Sequence, residues 1–158
     1  MLNLVMAIPI QFKSCTGGWK GTKSIWHTGD KPPLLSGVWL DARIAAAGKV
    51  LVLAYDWNKD SDSHQGEIGI SVLPETGGLS GYWLDSWHNQ DSINQLRGYV
   101  QADGSLFGQC VHVAADGTTT GWELILNYEK DQLHLQINEV KSGLSPLRKI
   151  CFAINRDA

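Results

Sequence analysis

The sequence lacks the features that would place it in several large functional classes. It has no CxxC pair and no Cys/His cluster at zinc spacing. Its three cysteines, Cys15, Cys110 and Cys151, are odd in number and far apart, which reads as free thiols in a reducing compartment rather than a disulfide framework. The five histidines, His27, His64, His88, His112 and His134, include no pair two apart on a strand or four apart on a helix, so no metal site is indicated. No G-x-S-x-G occurs, and "ETGGLSG" leads into a strand rather than a helix, so a nucleophile elbow and a phosphate-cradling loop are both missing. Lys and Arg number 13 against 16 Asp and Glu, and they are scattered singly. There is no basic stripe of the kind that nucleic acid or an anionic membrane surface requires. The opening "MLNLVMAIPIQF" is too short to span a bilayer, with no Lys or Arg before its apolar run and no small-residue cleavage pattern. The expected location is the cytoplasm.

Helical periodicity is scarce, and period-two alternation takes its place. The chain has 158 residues, enough for one domain burying roughly 70% of its extended surface. It carries 17 glycines, the residue that tight turns and sheet bends consume. Strands are expected over 17–28, 34–46, 49–57, 65–73, 79–88, 93–101, 105–113, 119–128, 132–140 and 148–156. Between them lie "TGDKPP", the polar "NKDSDSHQG", "PETGG", "EKDQ", "KSGLSPL" and two hairpin signals, Asp103-Gly104 and Asp116-Gly117. Ten short strands joined in sequence predict an all-β antiparallel meander that curls into a closed up-and-down barrel, with a sandwich as the rival. Residues 13–158 form the expected barrel domain. Residues 1–12, with Leu2, Leu4, Met6, Ile8, Ile10 and Phe12 at alternate positions, are expected as an extra strand or an arm against the sheet.

The stretch "GYWLDSWHNQ", 81–90, raises the chemical question. Read as a strand, it puts Trp83, Asp85 and Trp87 on one face and Ser86 and His88 on the other. A carboxylate between two indoles needs a partner if it faces inward. Arg97, on the following strand, is the best candidate partner; the alternative is a structural aspartate that hydrogen-bonds the backbone or a tryptophan N–H at a barrel rim. His88 could approach Asp85 or Asp91 near the strand end. Ser86, Asp85 and His88 cannot align as a triad without a bulge. Apolar walls with few oriented polar groups suit a small-molecule cavity. Tyr55, Trp57, Trp83, Trp87 and Tyr99 are expected as walls, with Asp85 and Arg97 orienting the polar end of a small apolar or amphipathic ligand.

Gly17, Trp19 and Gly21 form a G-x-W-x-G pattern in "GGWKG". This resembles the opening strand of calycin-type barrels: lipocalins, fatty-acid-binding proteins and the nitrobindin-like group. The chain is most similar to a family of short bacterial proteins of unknown function with a lipocalin-like barrel, with "LVLAYDW", "YWLDSWH" and "FAINR" standing at that family's later motifs. The resemblance implies that Trp19 packs across one barrel end beneath an Arg of the last strand, Arg156 or alternatively Arg148. The nitrobindin-like branch carries a haem-ligating His near its C-terminal end, whereas the last 24 residues here contain none. No cofactor is named by the sequence. The functional expectation is ligand binding inside a lipocalin-like barrel. The alternatives are an isomerase or lyase with Asp85 or His88 as proton carrier, and a ligand-free module filled by its own seven tryptophans that assembles as a homodimer or larger oligomer.

Overall fold

Period-two patterning becomes ten strands: β1 (Gly17–Ile25), β2 (Leu34–Ala45), β3 (Val50–Lys59), β4 (Asp62–Val72), β5 (Gly78–Asp85), β6 (Asn94–Val100), β7 (Leu106–Val113), β8 (Thr119–Glu129), β9 (Gln132–Lys141) and β10 (Leu147–Arg156). The computed structural model describes residues 7–27, 31–88 and 92–157. The expected arm therefore falls outside the described residues over 1–6, as do Thr28, Gly29 and Asp30 of the first turn, and Asp91. Each strand pairs antiparallel with the next, and β1 pairs with β10, so the sheet is a closed up-and-down barrel. Closure removes the unpaired edge that an open sheet of this length would present. Among the described residues no helix is long and apolar enough to cross a membrane.

The β1–β10 seam explains part of the G-x-W-x-G pattern. A Cβ at Gly21 would lie 2.2 Å from the Ala153 carbonyl oxygen, so only glycine lets the first and last strands approach this closely. A register shift in the β9–β10 ladder falls between Arg148 and Ile150.

The polar segment 58–66, expected as a loop, is instead a tight hairpin. Strand pairing runs through Lys59↔Asp62, and only Asp60 and Ser61 turn the chain. Both sit at positive φ, 51° and 72°, which matches the twist of the flanking strands. Lys130 and Asp131 turn β8 into β9 in the same way, with φ of 50° and 60°. Polarity thus marked the solvent end of a strand pair rather than an unpaired loop.

One barrel end is closed. Ile10–Cys15 form a 3-10 helix, not a continuation of extended chain, preceded by an Ala7–Val72 bridge. Phe12 and Cys15 are buried there, whereas Ile10 is exposed. Trp19 lies beside this plug and donates its indole N–H to the Cys15 carbonyl at 2.8 Å. The Arg156 guanidinium stacks 4.4 Å from the Trp19 ring and donates to the carbonyls of Thr16 and Ser14. Arg148 lies elsewhere, near Trp26.

Inward side chains occupy the middle of the barrel. Leu51, Leu53, Ile68, Ile70, Leu96 and Leu106 are all fully buried there. Each such side chain contributes about 1.5–3 kcal/mol relative to exposure. The other end, where β3 meets β4 and β5 meets β6, is where polar groups gather.

Candidate functional site

β5 ends at Asp85, three residues earlier than the alternation suggested. The carboxylate ends it. Asp85 Oδ1 accepts the backbone N–H of Trp87 at 2.8 Å and of His88 at 3.1 Å, folding 86–88 into a turn. Aspartate stabilises such turns because its short side chain reaches the amides two and three residues on. Trp87 and His88 therefore do not alternate along a strand. Both rings come to the same place, 4.5 Å apart and edge-on.

Asp85 Oδ2 faces the barrel interior. It accepts the Tyr55 hydroxyl at 2.8 Å and the Trp57 indole N–H at 3.3 Å, and it lies 3.7 Å from the Lys23 ammonium. Trp83 donates in turn to the Tyr55 oxygen at 3.0 Å. Lys23 is the residue the sequence reading missed. It points inward from β1, completely buried, with Nζ 3.2 Å from the centre of the Trp57 ring. The Nζ also faces His88 Nε2 at 3.4 Å, where the imidazole accepts from the ammonium.

The expected Asp85–Arg97 pair does not form. Arg97 is exposed on the outer barrel face and donates to Ser80 Oγ. Tyr99 is 50% exposed on that same outer face, packed against Phe107. On β6 the inward row is Asn94, Leu96 and Gly98, and the row containing Ile93, Gln95, Arg97 and Tyr99 points to solvent. Lys23 takes the place foreseen for Arg97. Tyr55, Trp57, Trp83, Asp85 and Trp87 do gather at one end. The first four are buried, and Trp87 is half-buried.

The buried charges alter one another. Burial pushes the Lys23 amine down from 10.5 to about 7, against the pull of the Asp85 charge. Burial works to raise the Asp85 carboxyl, but Lys23, His88, the Trp87 amide and the Tyr55 hydroxyl outweigh it and hold it below its ordinary value. His88 is driven down to about 3 by burial and by the Lys23 charge, so its ring is neutral at pH 7. Burial, and then the Asp85 charge, pushes the Tyr55 hydroxyl well up, so it remains a donor.

Beside this cluster the barrel opens into a hollow of about 290 Å³. Its walls include Asn94, Cys110, Trp122, Glu139 and Lys141. Trp122 packs edge-on against Trp83 at 5.4 Å, so one ring pair separates the hollow from the polar cluster. Among the described residues, Asn94 Nδ2 is the buried side-chain nitrogen or oxygen without a hydrogen-bond partner. A buried donor left unmatched costs about 1–3 kcal/mol, which an acceptor arriving there would relieve. Among the described residues no group of three or more His, Cys, Asp or Glu stands placed to hold a metal ion. No protein-family model matches the chain, and no curated protein matches it.

Proposed function

We propose that this barrel, of calycin or lipocalin-like type, binds a small amphipathic molecule at its open end. The observation that carries the reading is the hollow walled by Trp122, with the unmatched Asn94 amide at its edge. The apolar part of a ligand would lie on Trp122 and Cys110, and an acceptor group would meet the Asn94 N–H. Small-molecule sites have this composition, mostly apolar wall with few oriented polar groups. Tyr55, Trp57 and Trp83 support the site from below as packed core, and Trp87 stands beside His88 at the rim. Asp85 holds the turn that carries both.

The test is tryptophan fluorescence titrated with two amphipathic probes, 1-octanol and anilinonaphthalene sulfonate. A saturable change in the wild type, weakened at least about ten-fold in Trp122→Ala, supports the reading; that corresponds to about 1.4 kcal/mol. A flat titration, or one that Trp122→Ala and Asn94→Leu leave unchanged, overturns it.

A further inference from the structure

Lys23 is not explained by packing alone. A methionine or leucine would fill the same volume, and a buried ion pair often contributes no more stability than such a replacement. Its surroundings are those of a reactive amine. We propose that Lys23 is a covalent attachment site for a small aldehyde or ketone, which condenses with Nζ to form an imine within the ring cage of Trp57, Tyr55 and Phe152. The inference rests on the reading of the open end as the ligand entrance, and it assigns that ligand a carbonyl group.

Four features of the geometry support it. First, Nζ lies 3.2 Å from the Trp57 ring centre and 5.4 Å from that of Phe152, away from water. A desolvated lysine in an apolar pocket is the form that attacks carbonyls, because removing water disfavours the ammonium. The amine is accordingly poised near neutrality, at about 7. Second, Asp85 Oδ2 stands 3.7 Å away, a counter-ion for the cation that a protonated imine carries. Third, the neutral His88 ring presents Nε2 to Nζ at 3.4 Å, an acceptor that orients the amine N–H while the ammonium gives up its proton to solvent. Fourth, His88 packs 6.4 Å from Trp122, which walls the hollow. His88 touches Lys23 and neighbours Trp122, so a carbonyl compound in the hollow reaches Nζ when the Trp83, Trp122 or His88 ring swings aside.

The step balances without a redox partner. The free amine forms a C–N bond to the carbonyl carbon, and the C=O π pair moves to oxygen. Proton transfer from nitrogen to that oxygen, relayed by His88, gives the neutral carbinolamine. The nitrogen lone pair then forms C=N as the C–O bond breaks, and the oxygen departs as water with the second proton of the amine, leaving a neutral imine whose protonated form Asp85 can stabilise. One amine and one carbonyl yield one imine and one water, and water reverses the reaction.

The experiment uses hexanal and sodium cyanoborohydride with the full chain at pH 7, followed by intact mass and peptide mapping. A free lysine amine in water, with a reference pKa near 10.4, is almost wholly protonated at that pH. Apart from any adduct on the α-amino group, whose reference pKa is about 7.7–8.0, the expected result is a hexyl adduct on Lys23, formed at least about ten-fold faster than on exposed lysines. The adduct should be absent from Lys23→Met and from Lys23→Arg, the latter keeping the charge if the former fails to fold. Labelling spread over exposed lysines, or no adduct at position 23 in folded wild type, overturns the proposal. If the fluorescence titration saturates but no adduct forms, the covalent inference fails and the binding reading stands. If Lys23 is labelled while the octanol titration stays flat, the binding reading fails and the covalent site stands.

Discussion

The Tyr55 hydroxyl reaches the Asp85 carboxylate by crossing over Gly66, which is paired with both residues. A Cβ at Gly66 would lie 2.1 Å from the tyrosine ring. One missing methyl group thus lets β3 deliver a donor to β5 across the strand between them. Gly66→Ala is expected to displace the Tyr55 ring and lower stability by about 1–3 kcal/mol, the cost of overpacking a filled core. Denaturant unfolding followed by tryptophan fluorescence measures this; an unchanged midpoint would mean that Tyr55 does not lie across the glycine.

Removing one member of the Lys23–Asp85 pair leaves the other buried without its counter-charge. Lys23→Met and Asp85→Asn are each expected to lose about 3–5 kcal/mol. The double variant should lose less than the sum of the two, because the orphaned charge is gone in it. Urea unfolding of the four proteins gives the coupling directly, and strictly additive losses would contradict a direct interaction.

The pH dependence follows from the same groups. Lys23 in the fold releases its proton near pH 7, whereas the unfolded chain keeps it to about 10.5. Between those values the unfolded state binds more protons, so stability rises with pH. His88 works the same way lower down, between about 3 and 6.5: as pH falls through that window the unfolded chain gains a proton that the fold resists. Asp85, held below its ordinary value, adds stability above the unfolded carboxylate range that is lost on acidification. Tyr55 and Asp85 face Lys23, and His27 and His64 face the His88 side of the cluster. Midpoints measured from pH 5 to 8 should climb in the wild type, and the rise between pH 7 and 8 should be missing from Lys23→Met; higher up, the Cys15 thiol, pushed to about 11 by burial, works in the opposite direction.

At the β3–β4 turn, Ser61 holds φ of 72°. A left-handed conformation costs a residue with a side chain roughly 1–2 kcal/mol, and glycine avoids that cost. Ser61→Gly is therefore expected to stabilise the barrel by up to about 1 kcal/mol after its greater unfolded-state entropy is set against the gain. Calorimetry should show a higher melting temperature, and a lower one would argue against the two-residue turn.

Arg97→Ala should change neither stability nor probe binding, since the side chain lies outside the barrel. A loss of octanol affinity in this variant would place Arg97 in the site after all.

The strands were legible in the sequence because alternation and turn residues point to one answer along nearly the whole chain. The G-x-W-x-G stretch likewise pointed to the Trp19–Arg156 end. The chemistry was harder to see. "GTKSI" contains one lysine, and a single charge on a strand ordinarily points to water. Alternation with Trp19, Gly21 and Ile25 nevertheless puts Lys23 on the inner face, and that was the available signal. Arg97 was assigned inward from its strand neighbours, although Asn94 and Leu96 occupy the buried row. The reach of His88 into the cluster depends on a side-chain-to-backbone turn at Asp85, which breaks the very periodicity used to place it.

The seam between β1 and β10 has a consequence for how the chain is made. Every other strand pairs with the one that follows it in sequence, but Trp19 and Arg156 come together only after the last strand has left the ribosome. Until then the growing sheet exposes two raw borders of backbone amides and carbonyls, and synthesis is the interval in which the protein is most open to sticking to its own copies.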